Sequence, residues 1–349
     1  MTARTKVGFA VVGLGNIARN SILPAFRNSK KTKLVALVSR DKQKAAKLAA
    51  QFGANFSYPL DEYGTCLTDP EVSAVYVATP PGEHAAVAIR AAEAGKHVVC
   101  EKPLAATVAQ SIAIVEACRQ HDARLMTAYR KYFEPASLYL KKLVRNGSLG
   151  RIDMMHTSFS ELFVPGVSAA WLLDPALAGG GPMMDLGVYC VNTTRWLVGE
   201  DPIEASAHAW CHDGVRFPNV EEGISFRLNF RSGLVVQGSS SYSAAMSSFI
   251  FVQGTKGWAS LTPAFPFEHE RKISGQIAGR KFEKRFAVVD EFALELDAFA
   301  TAILEHKDVE SDGLEGHRDM VILHAIYESA RNLRPVNIRY SGEARSHGA

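Results

Sequence analysis

The sequence has no CxxC pair: its five cysteines, Cys66, Cys100, Cys118, Cys190 and Cys211, are scattered and odd in number. That argues against a disulfide framework and for reduced thiols packed as small apolar groups. No apolar run approaches the ~18 residues of a membrane-crossing helix. No block of like charge stands out either; the densest basic stretch, 281–285, is broken by Phe282 and Glu283, and the net charge is only +3 from 39 basic and 36 acidic residues. Nucleic-acid and membrane-surface roles therefore gain no support from charge. Residues 1–6 are short and polar and do not resemble a removable signal peptide, so a cytoplasmic location is expected. No internal repeat, low-complexity linker or G-x-S-x-G elbow is present. His208, Cys211 and His212 lie close in sequence, but on an alternating strand Cys211 points away from the two histidines, and no metal site is expected.

What is present is a change of pattern along 349 residues, a length that suits two domains. Short apolar runs at Val7–Val12, 34–39, 72–78, His97–Cys100 and 124–127 alternate with helix-like segments at 16–27, 41–51, 83–94 and 107–119. Gly95 is the expected C-cap of the third helix. Such alternation predicts a parallel sheet covered on both faces. After about residue 150 the strands lengthen and alternate apolar with polar, at 154–159, 203–210, Gly223–Phe230, 234–242 and 249–253. This predicts a large, mostly antiparallel sheet. A helix is expected at 183–198 and two more at 291–305 and 316–332, with a frayed tail after Asn337. The expected organisation is α/β: a Rossmann dinucleotide-binding domain over 1–128, then an α/β domain over 129–337 that carries the mostly antiparallel sheet. The C-terminal helices are free to pack back on the first domain.

Gly13-Leu14-Gly15-Asn16-Ile17-Ala18 fits G-x-G-x-x-[GA] directly after a strand and at the start of a helix. Gly13 permits the tight turn, Gly15 admits a pyrophosphate against the backbone, and Ala18 allows helix and strand to pack closely. The N–H groups around Asn16 and Ile17 then face the phosphates. The second strand ends at Ser39-Arg40, about 21 residues beyond Ala18, where the adenosine ribose is met. A hydroxyl and a guanidinium stand there instead of an acid. Arginine suits a 2′-phosphate, which favours NADP over NAD, with Lys44 adding charge. Asp41 is expected to cap the next helix and point away. The alternative is that Arg40 is a solvated surface residue. Thr79-Pro80 ends the third strand at the sheet's ligand-binding edge, with His84 in the same turn; a purely structural place for His84 at the helix N-terminus is slightly favoured over a part in the cofactor site.

Two further motifs complete a pattern: Glu101-Lys102-Pro103 after the strand His97–Cys100, and Gly179-Gly180-Gly181-Pro182-Met183-Met184-Asp185-Leu186-Gly187-Val188-Tyr189. With Gly13–Ala18 in this order, the chain resembles the Gfo/Idh/MocA oxidoreductase family to about residue 335. The resemblance implies an active site between the two domains, with 129–337 serving substrate binding and oligomerisation, and a homodimer or homotetramer formed through the open sheet. It implies that Lys102 is catalytic and touches substrate and nicotinamide. The second motif commonly ends in histidine; here Tyr189 stands in that position. That matches the branch of glucose–fructose oxidoreductase and dimeric dihydrodiol dehydrogenase, as do Leu173–Gly181 and Ala128-Tyr129-Arg130, whose arginine is expected near the cofactor. The export signal and N-terminal arm of glucose–fructose oxidoreductase find no counterpart, so permanently held cofactor is not the leading expectation.

Oxidising an alcohol requires a base within reach of its O–H as hydride leaves carbon. A free tyrosine is a poor base at neutral pH. Lys102 beside Tyr189 is expected to favour the phenolate and lower that pKa. Asp185, four residues before Tyr189, shares its helix face and is expected to bind substrate hydroxyls or orient Lys102. Glu101 is grouped with the cofactor site, chiefly to turn the loop that presents Lys102. Trp171 is expected to wall the nicotinamide pocket or simply to be a partly buried aromatic. The predicted activity is hydride transfer between NADP(H) and a cyclic sugar, polyol or trans-diol. The alternatives are sugar–sugar oxidoreduction with tightly held NADP and a non-catalytic NADP-binding regulator. Specificity is expected to reside in the segment 159–171.

Overall fold

The computed structural model describes residues 6–340, so the expectations for residues 1–5 and for the last nine residues of the tail lie outside the described part. Six parallel strands form one sheet, in the order Phe56–Pro59, Thr32–Ser39, Val7–Val12, Ala74–Val77, His97–Cys100, Leu125–Thr127. Val7–Val12 and Ala74–Val77 are buried along their whole length, as strands covered on both faces must be. The strand order reverses between them, and the crevice outside their carboxyl ends is where such sheets bind ligands. The expected helices flank this sheet. Asp41 caps Lys42–Phe52 by accepting from Lys44 N at 2.9 Å, and Gly95 follows Pro81–Glu93 with φ +69°.

The second sheet has nine strands, in the order Arg280–Phe286, Arg271–Ile277, Gly257–Thr262, Ser247–Gly254, Ile152–Ser160, Val235–Ser241, Gly223–Phe230, Pro202–Trp210, Val336–Asn337. All neighbours are antiparallel except Ile152–Ser160 with Val235–Ser241. One face is packed by Val188–Val198, Pro135–Arg145 and Gly313–Asn332 into a single apolar core. Five strands are not evident from the sequence: Phe56–Pro59, Gly257–Thr262, Arg271–Ile277, Arg280–Phe286 and Val336–Asn337. The helix Pro135–Arg145 is likewise not evident. Arg280–Phe286 shows why. It is an edge strand, and its lysines, arginines and glutamate suit an edge that must not pair with another chain, at the cost of an apolar signal.

The chain does not divide cleanly at residue 128. Phe292, Leu296 and Phe299 of the helix Glu291–Leu304 pack into the core of the parallel sheet beside Phe9 and Tyr76. At the head of that helix, Glu291 accepts from Arg130 at 2.5 Å and from Lys131 at 2.8 Å, and it also accepts from Arg271. All four side chains are buried. Burial alone would raise the Glu291 carboxyl, but the Arg130 and Arg271 guanidiniums, with Lys131, outweigh it and hold its pKa down to about 2; burial and the adjacent Arg130 push the Lys131 amine well below its ordinary value, so the two guanidiniums are the dependable charges. Removing one partner of a buried ion cluster leaves uncompensated charge, so Glu291→Gln is expected to cost about 3–5 kcal/mol of stability, read as a lowered denaturant midpoint. The depressed pKa sets the sign with pH: this contribution is present above the ordinary carboxylate range and is lost as pH falls toward 2. No helix among the described residues is long and apolar enough to cross a membrane.

Candidate active site

A cleft of about 610 Å³ opens at the carboxyl ends of the parallel strands and runs toward the second sheet. Its first half is lined by Gly13, Gly15, Asn16, Ile17, Ser39, Arg40, Lys44, Thr79 and Pro80. Gly13 has φ +92°, and a Cβ there would lie 2.6 Å from the Ala78 carbonyl oxygen, so only glycine makes this turn. Gly15 is the opposite case: a Cβ would meet no atom within 4 Å and would project into open space at the cleft wall. The backbone there is kept bare for a ligand. The hydroxyls of Ser21 and Thr79, both in the cleft wall, are buried without a hydrogen-bond partner among the described residues. A bare glycine loop, two orphan hydroxyls and a basic end at Arg40 and Lys44 fit a dinucleotide phosphate. The helix expected over 16–27 opens as a π-turn, Ala18–Ile22, before becoming α-helical at Leu23–Asn28. Such turns are frequent at functional sites.

Arg40 is exposed and pairs with Glu83 at 3.3 Å. Asp41 lines the cleft, but its carboxylate is engaged as the helix cap, and its N–H donates to Ser39 Oγ at 3.1 Å. His84 does not reach the cleft. It is fully buried, with Nε2 2.8 Å from Thr79 O and Nδ1 3.2 Å from Leu104 O. Burial lowers its pKa to about 4. The neutral ring has one N–H to donate to one of these carbonyls, between the Thr79-Pro80 turn and the loop after Lys102, and in this buried place His84 is outside the cleft lining. Helix periodicity places it on the inner face of Pro81–Glu93, a signal outweighed in the sequence by its nearness to Pro80.

The second half of the cleft is lined by Glu101, Lys102, Arg130, Glu161, Trp171, Asp185, Tyr189 and Tyr242. Lys102 Nζ donates to Asp185 O at 2.7 Å and to Asp185 Oδ1 at 3.0 Å, and it lies 4.9 Å from the centre of the Tyr189 ring. Tyr242 donates to the other oxygen, Asp185 Oδ2, at 3.1 Å. Both carboxylate oxygens are thus held. Glu101 accepts from Lys102 N at 3.2 Å and from Tyr76 OH at 2.9 Å, which fixes the loop from beneath. Arg130 borders the cleft, but its guanidinium is committed to Glu291 and, at 2.9 Å, to Phe265 O, with its carbon 5.1 Å from the Tyr189 ring centre. Trp171 sits on a short 3₁₀ turn, Ala170–Leu173, at the cleft wall.

The expected continuous helix 183–198 begins as a π-turn, Met183–Gly187, and becomes α-helical at Val188–Val198. Asp185 and Tyr189 nevertheless both reach the cleft. The glycines before them serve packing: a Cβ on Gly180 would lie 2.2 Å from Tyr327 Oη, and one on Gly181 would lie 2.6 Å from Glu221 O. The Tyr189 pKa corrects the sequence expectation. Burial raises it, and although Arg130 and Lys102 pull it down, burial prevails. The resting residue is a phenol. Sequence reasoning also misses Glu161 and Tyr242, which belong to no motif; the only signal is that Glu161 falls within the segment 159–171.

Comparison with known proteins agrees with this architecture. Residues 7–129 match the model of the oxidoreductase family with an NAD-binding Rossmann fold, and residues 137–260 match that of the GFO/IDH/MocA C-terminal domain. The chain is 31% identical to D-xylose 1-dehydrogenase [NADP(+)] of Haloarcula marismortui, over 95% of this chain and 93% of that protein. It is 31% identical to trans-1,2-dihydrobenzene-1,2-diol dehydrogenase of Oryctolagus cuniculus, over 72% of this chain and 74% of that protein. The crystal structure of aldose-aldose oxidoreductase from Caulobacter crescentus, complexed with glycerol, superposes with a TM-score of 0.91 at 34% identity, covering 95% of this chain and 100% of that one. With the glycine loop, the Glu101-Lys102-Pro103 turn and the Asp185–Tyr189 segment around one cleft, the chain belongs to the Gfo/Idh/MocA family of oxidoreductases.

Proposed function

We propose that the chain transfers a hydride between NADP(H) and a CH–OH group of a cyclic sugar, polyol or trans-diol. The observation that carries this reading is Lys102, fixed by Asp185 and set against the Tyr189 ring, in the same cleft as a bare glycine loop with a basic end. The relatives named for NADP-dependent xylose oxidation and for a dihydrodiol support it. Gly13, Gly15, Asn16 and Ile17 would hold the pyrophosphate, Ser39, Arg40 and Lys44 the 2′-phosphate, and Thr79 and Pro80 the ribose edge. Residues 1–128 would be the NADP-binding unit and 129–337 the unit for substrate and assembly. The nicotinamide supplies or accepts the hydride; the protein positions and polarises.

What Lys102 and Tyr189 do follows from their surroundings. Burial alone would lower the Lys102 pKa, but Asp185, Tyr189 and Glu101 carry it above its ordinary value, so it remains an ammonium. The Tyr189 phenol keeps its proton. Two donors therefore meet a substrate oxygen, an arrangement that polarises a carbonyl and protonates the oxygen as it becomes an alcohol. Running the reaction as an oxidation requires Tyr189 without its proton. The signs follow: the oxidation rate climbs with pH and shows no plateau below about pH 10, the ordinary tyrosine value, whereas reduction is flat near neutrality and falls only in strong base. Steady-state profiles in both directions check this.

The test of function is the rate of nicotinamide reduction with NADP, and then NAD, against a panel of aldoses, inositols and cyclic diols. Turnover of one class with NADP upholds the reading; NADPH binding with no turnover of any member favours a regulator. One observation favours a second reading: the closely superposing aldose-aldose oxidoreductase. With NADP retained, one sugar would be oxidised and another reduced in the same site. Equal amounts of oxidised and reduced sugar without added cofactor would establish that exchange.

A cytoplasmic homodimer or homotetramer completes the proposal. Four of the five cysteines are buried and unpaired, which suits a reducing compartment. The outer face of the nine-stranded sheet exposes Met154 and Ile203 among polar groups such as Arg227 and Gln237, a surface that a second copy could cover.

A further inference from the structure

Glu161 gives the reacting end of the cleft a charge that the proposed reaction does not use. It follows the strand Ile152–Ser160, and its N–H donates to Ser241 O at 3.0 Å, beside the residue that positions Asp185. From there its side chain lines the same cleft wall as Lys102, Asp185 and Tyr189. The carboxylate makes no hydrogen bond or ion pair with any described residue; its neighbours act on it only through space. Glu161 is exposed, so the small burial it has, and then the Asp185 carboxylate, raise its pKa, while Lys102 lowers it. The cations nearby are already matched, Lys102 by Asp185 at 3.0 Å and Arg130 by Glu291 at 2.5 Å. Glu161 is therefore an unmatched acceptor and a surplus negative charge facing the substrate.

Building on the sugar reading above, we propose that Glu161 is a specificity-determining residue that accepts a hydroxyl of an uncharged sugar or polyol and, with Asp185, excludes substrates bearing a carboxylate or phosphate. A hydroxyl donating to a carboxylate makes a charge-assisted hydrogen bond. An anion at the same place meets like charge, and the cations beside it, Lys102 and Arg130, are already paired with carboxylates. Exclusion by repulsion is a general route to specificity.

The test compares kcat/KM for a neutral aldose, its terminal phosphate ester and its uronic acid, with saturating NADP, in the wild type, Glu161→Gln and Glu161→Lys. The wild type is expected to favour the neutral sugar by about 10²-fold or more, Gln to narrow that ratio about tenfold, and Lys to narrow it further or invert it. NADPH titration followed by tryptophan fluorescence verifies that each variant retains the cofactor site. An unchanged ratio in both variants, or a wild type that accepts anionic and neutral sugars equally, overturns the role of Glu161 and leaves the sugar reading standing. A wild type that binds NADPH but turns over no sugar of either kind overturns the sugar reading and Glu161 with it.

Discussion

Lys102→Ala is expected to lower kcat by about 10³-fold or more while the dissociation constant for NADPH changes less than about threefold. The split follows from position. The glycine loop, Ser39, Arg40 and Lys44 stand at the other end of the cleft and do not touch Lys102, so phosphate binding is left in place. At the reacting end, the substitution removes an ammonium held 3.0 Å from Asp185 and 4.9 Å from the Tyr189 ring centre. A substrate oxygen then meets a phenol whose own proton is held tightly, next to carboxylates that oppose any charge developing on that oxygen. Three orders of magnitude correspond to about 4 kcal/mol of lost transition-state stabilisation, within reach of one buried cation acting on developing charge. Parallel losses in kcat and NADPH affinity would instead assign Lys102 to holding the loop, and retained turnover would remove it from the mechanism.

Arg40→Asp is expected to reverse cofactor preference, lowering kcat/KM for NADP about 10²-fold and raising it for NAD. The wild-type guanidinium stands at the end of Thr32–Ser39 and is exposed, held among the described residues only by Glu83 at 3.3 Å, so it is free to turn toward a phosphate. An aspartate there would accept hydrogen bonds from a ribose hydroxyl and repel a 2′-phosphate. Asp41 does not already do so because its carboxylate caps the following helix. Unchanged preference in steady-state kinetics with both cofactors would transfer the reading of the 2′-phosphate to Lys44 or Ser39.

Much of this was legible in the chain. The first sheet announces itself through strands such as Val7–Val12 and Ala74–Val77, which are buried on both faces and so read as unbroken apolar runs, whereas its edge strand Phe56–Pro59, exposed or half-buried, gives no such signal. Lys102 and the Asp185–Tyr189 segment are legible through motifs that resemble the Gfo/Idh/MocA pattern, one directly after a strand and one leading into a helix. The remainder depends on distances that sequence does not encode. Lys102 beside Tyr189 suggested a phenolate, yet the same packing that brings the cation to the ring also removes water from it, and burial prevails. Proximity to Pro80 suggested His84 for the cofactor, whereas helix phase turns it into the core. Arg130 was expected at the cofactor; it borders the cleft, but Glu291, 161 residues away along the chain, engages it. Arg280–Phe286 reads as a charged stretch because an edge strand carries charge for reasons unrelated to its own pairing. Glu161 and Tyr242 come from the ends of two strands whose parallel pairing places them at the site.

Carbon-bound hydrogen is expected to move directly between a sugar and the nicotinamide in this cleft. The most direct measurement is to incubate the protein with NADP and a sugar deuterated at its carbon positions, then to locate the label by mass spectrometry and NMR. Deuterium recovered on the nicotinamide ring in the wild type, and lost in Lys102→Ala, is the predicted result. Unlabelled NADP recovered beside an unchanged sugar, although the protein binds the dinucleotide, would contradict it.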